Sequence, residues 1–99
     1  MKLSVLAEAA EELYDAAAYY EEQQEGLGRR LEAEFHLHIV WIIRNPAVPR
    51  LRRKKYRRVN LKVFPYYIAY VIRDREDEIC VVAFAHGNRR PEYWIDRTR

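Results

Sequence analysis

The hydrophobic period of this 99-residue chain changes once, and the change falls between Asn45 and Tyr56. Upstream, apolar residues recur every three or four positions. Downstream, they alternate with polar ones. The first spacing lines one side of an α-helix and the second one side of a β-strand. The chain is therefore bound to spend its first half mostly on helix and its second on sheet. A chain of this length buries one modest core, so a single domain over residues 1–99 is expected. A hydrophobic content of 49%, with 13% aromatic, supplies that core.

Lys2 to Val5 reads as a short edge strand. Leu6, Ala10, Leu13, Ala17 and Tyr20 then line one side of a first helix, whose early acids Glu8, Glu11 and Glu12 suit the positive end of a helix dipole. Gly26 and Gly28 stop it and permit a tight turn. Leu27, Leu31, Phe35, Ile39 and Ile42 or Ile43 form the stripe of a second helix, which Asn45-Pro46 ends. Two helices so closely joined form an antiparallel hairpin. Pro46 to Lys55 is an exposed basic loop. From Tyr56, the apolar residues Val59, Leu61 and Val63 alternate with Arg58, Asn60 and Lys62. Tyr66 to Ile72 and Ile79 to His86 are two further strands, joined by the charged turn Arg73 to Glu78.

The order β-α-α-β-β-β predicts an α+β fold, an antiparallel sheet packed against a helical hairpin. The two last strands are apolar on both faces, whereas the hairpin covers one. A partner segment is the expected cover for the other.

Several function classes drop out. Cys80 is the sole cysteine and lies inside an apolar run, as a small buried hydrophobe would. His36 and His38, two apart on a helix, point in different directions and share no metal. No cysteine–histidine cluster, glycine-rich phosphate loop or serine triad is present, and no metal or cofactor is expected. No apolar run approaches the length of a membrane span or a secretion signal, so a cytoplasmic location and no membrane partner are expected.

Charge is distributed unevenly. Residues 1–43 carry three basic and nine acidic residues, a net −6, whereas residues 44–99 carry fifteen and six, a net +9. Between Arg44 and Lys62 there are nine basic residues and no acid. Such a field attracts a polyanion or an acidic protein segment. Arg50, Arg52, Arg53, Lys54, Lys55, Arg57 and Arg58 form its centre, and Arg89, Arg90 and Trp94 are further candidates for contact with a target or nucleic acid.

Two segments carry a family resemblance: Ala16 to Glu21 with Gly26-Leu27-Gly28 and Phe35, and Phe64 to Tyr70 followed by His86-Gly87-Asn88-Arg89-Arg90-Pro91-Glu92-Tyr93-Trp94. Together they resemble the ParE/RelE toxin superfamily, and within it the ParE-like plasmid-stabilisation branch. The resemblance implies a toxin neutralised by a cognate antitoxin in a hetero-oligomer. ParE-like members poison DNA gyrase; RelE-like members cut messenger RNA on the ribosome. RelE-like members carry arginines where this chain has Tyr67 and Asn88, and a tyrosine where it has Trp94. Those departures favour gyrase binding without independent catalysis. The alternative is a ribosome-dependent endoribonuclease, whose catalytic candidates would be His86, Arg89, Arg90 and Tyr93. A third reading is a degenerate, non-toxic protein that still binds an antitoxin.

Overall fold

In the computed structural model, which describes residues 1–98, both helices form where the apolar spacing places them. Helix α1 spans Ala7–Gln23 and α2 spans Leu27–Arg44. On α2 the buried residues are Leu31, Phe35, Ile39 and Ile42, as the spacing predicts, and Ile43 faces out. On α1 the stripe is rotated slightly from the expected one. Ala9 and Ala16 are buried, with Leu6, Leu13, Ala17 and Tyr20 half-buried beside them, and Ala10 is exposed. Alanine spacing alone does not distinguish the two sides.

The hairpin turn is held by one side chain. Gly26 takes a left-handed φ of 88°, and the Glu21 carboxylate accepts the backbone N–H of Gly26 at 2.8 Å and of Gly28 at 3.0 Å. Helix first turns leave such donors unsatisfied, so Glu21 supplies what α2 lacks locally. Those N–H groups hold its carboxyl below the usual range. Gly28 is buried where the helices touch, and a Cβ there would lie 2.5 Å from the carbonyl oxygen of Ala17.

Strands β1 (Lys2–Val5), β2 (Arg57–Asn60), β3 (Tyr66–Arg73) and β4 (Glu78–His86) form one sheet in the order β1-β4-β3-β2. The sheet is mixed rather than wholly antiparallel: β2, β3 and β4 alternate in direction, but β1 lies parallel to β4. Chain path explains this. Helix α1 runs on past the end of β1, with Leu6 bonding Val81 and Glu12 reaching Phe84. The chain then reverses direction an even number of times before β4, which brings β4 back to the direction of β1.

Strand β2 is shorter than the alternation predicts. Leu61 and Phe64 both turn inward, and Val63, expected on the apolar side, is 67% exposed. Glu34 on α2 causes the change by accepting the backbone N–H groups of Lys62 and Val63, at 2.5 and 3.2 Å.

A register shift opposite Ala69 and Tyr70 leaves Val82 without a partner on β3, a β-bulge. Val81 and Phe84 therefore face the helices, while Cys80, Val82, Ala83 and Ala85 face the opposite side. That second side is covered by the chain itself, and the expected partner segment is not needed there. Trp94, Tyr93 and Ile95 of the C-terminal segment and Tyr56 of the basic loop close over Ala69, Val71 and the four β4 residues. The small side chains at Ala69, Ala83 and Ala85 make room for the indole. Cys80 is fully buried. Among the described residues no helix is long and apolar enough to cross a membrane.

Candidate macromolecular interface

The basic loop is anchored at its root and strained at its tip. Arg57 donates through Nη1 to the carbonyls of Pro49 at 2.7 Å and Ala47 at 3.3 Å, and the Tyr70 hydroxyl donates to Pro46 at 2.7 Å. Arg52 and Tyr56 pair across the loop, and the Lys55 N–H closes a turn onto the Arg52 carbonyl at 2.9 Å. Its central residues, Arg53 and Lys54, have φ values of 51° and 56°. Asn-Gly usually supplies this mirror-image turn, because residues with a Cβ pay a steric penalty there. The chain accepts that penalty twice to place two cations at the tip. Lys54→Gly is therefore expected to raise stability by about 1 kcal/mol, read as a higher melting temperature, while removing one charge.

The loop is joined to the C-terminal segment at Glu92. Arg53 Nη1 lies 2.8 Å from Glu92 Oε1, and the Tyr56 hydroxyl donates to Glu92 Oε2 at 2.5 Å. The hydrogen bond from Tyr56, with Arg53 beside it, holds the Glu92 carboxyl below its ordinary value, while burial and this carboxylate push the Tyr56 phenol up to about 12. Glu92 is itself left-handed, at φ 59°. Arg58 lies over the Tyr67 ring, 4.0 Å from its centroid, and donates to Asn60; its Nε has no partner among the described residues.

Trp94, expected to touch a target, is 1% exposed. Its indole N–H donates to the Tyr67 hydroxyl at 2.9 Å, and Tyr56 meets it edge-on at 4.6 Å between ring centroids. It packs the segment onto the sheet and is removed from the surface. The two positions at which RelE-like members carry an arginine and a tyrosine, Tyr67 and Trp94, are thus bonded to each other in the interior.

The other nuclease candidates partly converge. His86, Arg89 and Tyr93 border a pocket of about 200 Å³ with Glu12, Asp15, Tyr19 and Tyr66, while Arg90 lies outside it. Each is occupied locally. His86 Nδ1 accepts the Asn88 N–H at 2.9 Å, which stabilises the turn after β4. The Tyr93 hydroxyl donates to Glu12, and burial followed by that bond pushes its pKa far up. Arg89 lies over the Tyr93 ring at 4.0 Å. Glu12 also accepts the Phe84 N–H and Arg97 Nη1, and Arg97 donates in turn to the Val82 carbonyl. Past the end of β1, these two side chains satisfy the open edge of β4.

A second surface lies on the opposite flank. A groove of about 820 Å³ runs between α2 and the free edge of β2, lined by Leu37, Trp41, Val59 and Val63 together with Arg30, Arg58, Lys62 and one acid, Glu34. Leu37 is 70% exposed. The sequence carried a signal for this groove, since Leu37 and Trp41 stand four apart, off the core stripe of α2. Nothing local marks Glu12 or Glu92, whose partners lie tens of residues away.

Over residues 3–91 the chain matches the family of the ParE toxin of type II toxin–antitoxin system, parDE. It belongs to that family. No curated protein sequence matches it. Among solved structures it is similar to a chain of the chromosomal ParDE toxin–antitoxin system from P. aeruginosa, at a TM-score of 0.74 and 14% identity, covering 87% of this chain and 95% of that one. At that identity the likeness concerns the fold.

Proposed function

We propose that this ParE-family toxin acts in the cytoplasm by binding and poisoning DNA gyrase, without catalysis of its own, and that a cognate antitoxin neutralises it. The observation that carries the first part is the Trp94–Tyr67 pair. It fills with buried aromatic rings the place where a RelE-like member would hold cations and a proton donor around a phosphate. The engaged state of Tyr93 favours the same reading, since burial and its bond to Glu12 push the phenol far above the neutral range. The target would be met by Arg50, Arg52, Arg53, Lys54, Lys55, Arg57 and Arg58, with Arg89 and Arg90 of the segment after β4.

Pulse-labelling of DNA and protein synthesis after induction of this chain alone tests the proposal, run in parallel with the Arg89→Ala/Arg90→Ala variant. DNA synthesis is expected to fall first in both. An earlier fall in protein synthesis, abolished in the variant, would replace gyrase with the ribosome and messenger RNA. Harmless expression of the unaltered chain would leave a degenerate antitoxin-binding protein.

The antitoxin segment is assigned to the groove between α2 and β2. Its apolar side chains, with three basic residues against one acid, suit an amphipathic acidic segment, and the unpaired edge of β2 offers backbone bonds. Leu37→Glu is expected to weaken antitoxin binding at least tenfold in calorimetry, by about the value of a buried leucine. Its melting temperature should stay unchanged, because Leu37 contributes little to the core.

A further inference from the structure

We infer that the basic turn at Arg52 to Lys55 is a docking site for a nucleic-acid phosphate backbone and that Glu92 is its built-in counter-ion, a tethered carboxylate holding the place a phosphate would take. This rests on the proposed contact of these residues with the target and names what they meet there.

The patch is unusual in how little of it is neutralised. Among the described residues, Arg53 is the only cation of the run 50–58 in a salt bridge, and its partner is Glu92. Arg57 spends its guanidinium on backbone carbonyls, and Arg58 lies on an aromatic face with one nitrogen unpartnered. Arg50, Lys54 and Lys55 are exposed, and Arg52 is half-buried.

Two features point to a phosphate backbone as the ligand. Arginines dominate the run, and the planar guanidinium bonds phosphate through two donors at once. From Arg52 to Arg58 the only apolar side chain is Tyr56, and it is 3% exposed, so the turn itself offers charge alone, with the exposed Val48 and Leu51 lying before it in the loop.

The counter-ion role follows from how Glu92 is held. Trp94, two residues on, fixes the segment in the interior, so Glu92 is presented at the turn and does not drift away. Its two oxygens take a guanidinium N–H and a phenol O–H, donors that a phosphate oxygen would accept equally well. Because Glu92 and an incoming phosphate compete for Arg53, the carboxylate lowers affinity for polyanions while keeping the turn ordered.

The test measures binding of the purified full chain to a short fluorescein-labelled DNA duplex by anisotropy across a salt series, with poly-glutamate as a competing probe. Glu92→Gln keeps an oxygen for the Tyr56 hydroxyl and removes the charge. It is expected to raise DNA affinity up to about fivefold at low salt, the usual worth of an exposed ion pair. The slope of log affinity against log salt should steepen by about 0.9, one further phosphate contact. Arg53→Ala is expected to lower affinity in the unaltered chain and to cancel both gains in the Glu92→Gln background. A melting curve for each variant separates these effects from unfolding. Unchanged or lower affinity in Glu92→Gln overturns the inference, as does a gain that survives Arg53→Ala, which would mark net charge alone. Absence of DNA binding throughout, or stronger binding of poly-glutamate, also overturns it and assigns the patch to an acidic protein.

Discussion

Trp94→Ala is expected to destabilise the chain by about 3–5 kcal/mol, more than any other single substitution considered, and to lower the denaturation midpoint accordingly. The indole is 1% exposed and closes the second face of the sheet. Truncation would open a cavity above Ala69, Ala83 and Ala85, whose short side chains cannot collapse into it. It would also leave the Tyr67 hydroxyl without its donor and the Tyr56 ring without its edge contact. For a domain of this size each kcal/mol corresponds to roughly 4–8 °C in melting temperature, so the variant should be largely unfolded at growth temperature. Loss of toxicity in this variant would consequently report on folding. Trp94→Phe, which restores most of the volume but not the N–H, should recover the greater part of the stability. Equal stability of the alanine variant and the unaltered chain would mean that the segment does not cover the sheet in solution.

Gly28→Ala comes next, at about 2–3 kcal/mol. A methyl group there would meet the Ala17 carbonyl oxygen at 2.5 Å and the Glu21 side chain at 3.0 Å. The first is backbone and cannot swing aside, so the helices must separate along their length, loosening Leu13, Ala17 and Leu31. Glu21 would also lose its grip on the turn. Gly26→Ala serves as the comparison: nothing lies near its missing Cβ, but its φ of 88° is left-handed, and a cost of about 1 kcal/mol is expected from the backbone alone. Chemical denaturation should rank the two clearly. The reverse ranking would place the sensitive contact at the turn and not at the helix crossing.

Where the fold was legible, it was legible through periodicity. The α2 stripe Leu31, Phe35, Ile39 and Ile42 needed only the three-to-four spacing, and β3 and β4 needed only β-rich apolar runs between turn residues. The direction of β1 was not legible, because its partner begins 76 positions later at Glu78 and no local pattern encodes which way the pair runs. Nor was the outward turn of Val63, since Glu34 on another element imposes it. The apolar second face was read correctly as needing a cover, and the error lay in looking outside the chain. Trp94 was available in the sequence, but as an exposed-looking aromatic among charges it invited a contact role. Among site residues, the basic run was plain from composition. Glu92, which organises that run, was one acid among fifteen acidic residues.

The bonds made by Glu12 also bear on when the toxin comes into being. Residue 12 leaves the ribosome long before Phe84, Tyr93 and Arg97, whose groups its carboxylate binds. Strand β1 likewise waits for β4. A nascent chain that has not yet delivered residues 84–97 carries helices and a partial sheet, with one β4 edge unsealed and one face bare. A translation product cut short before Trp94 should therefore be degraded as a fragment.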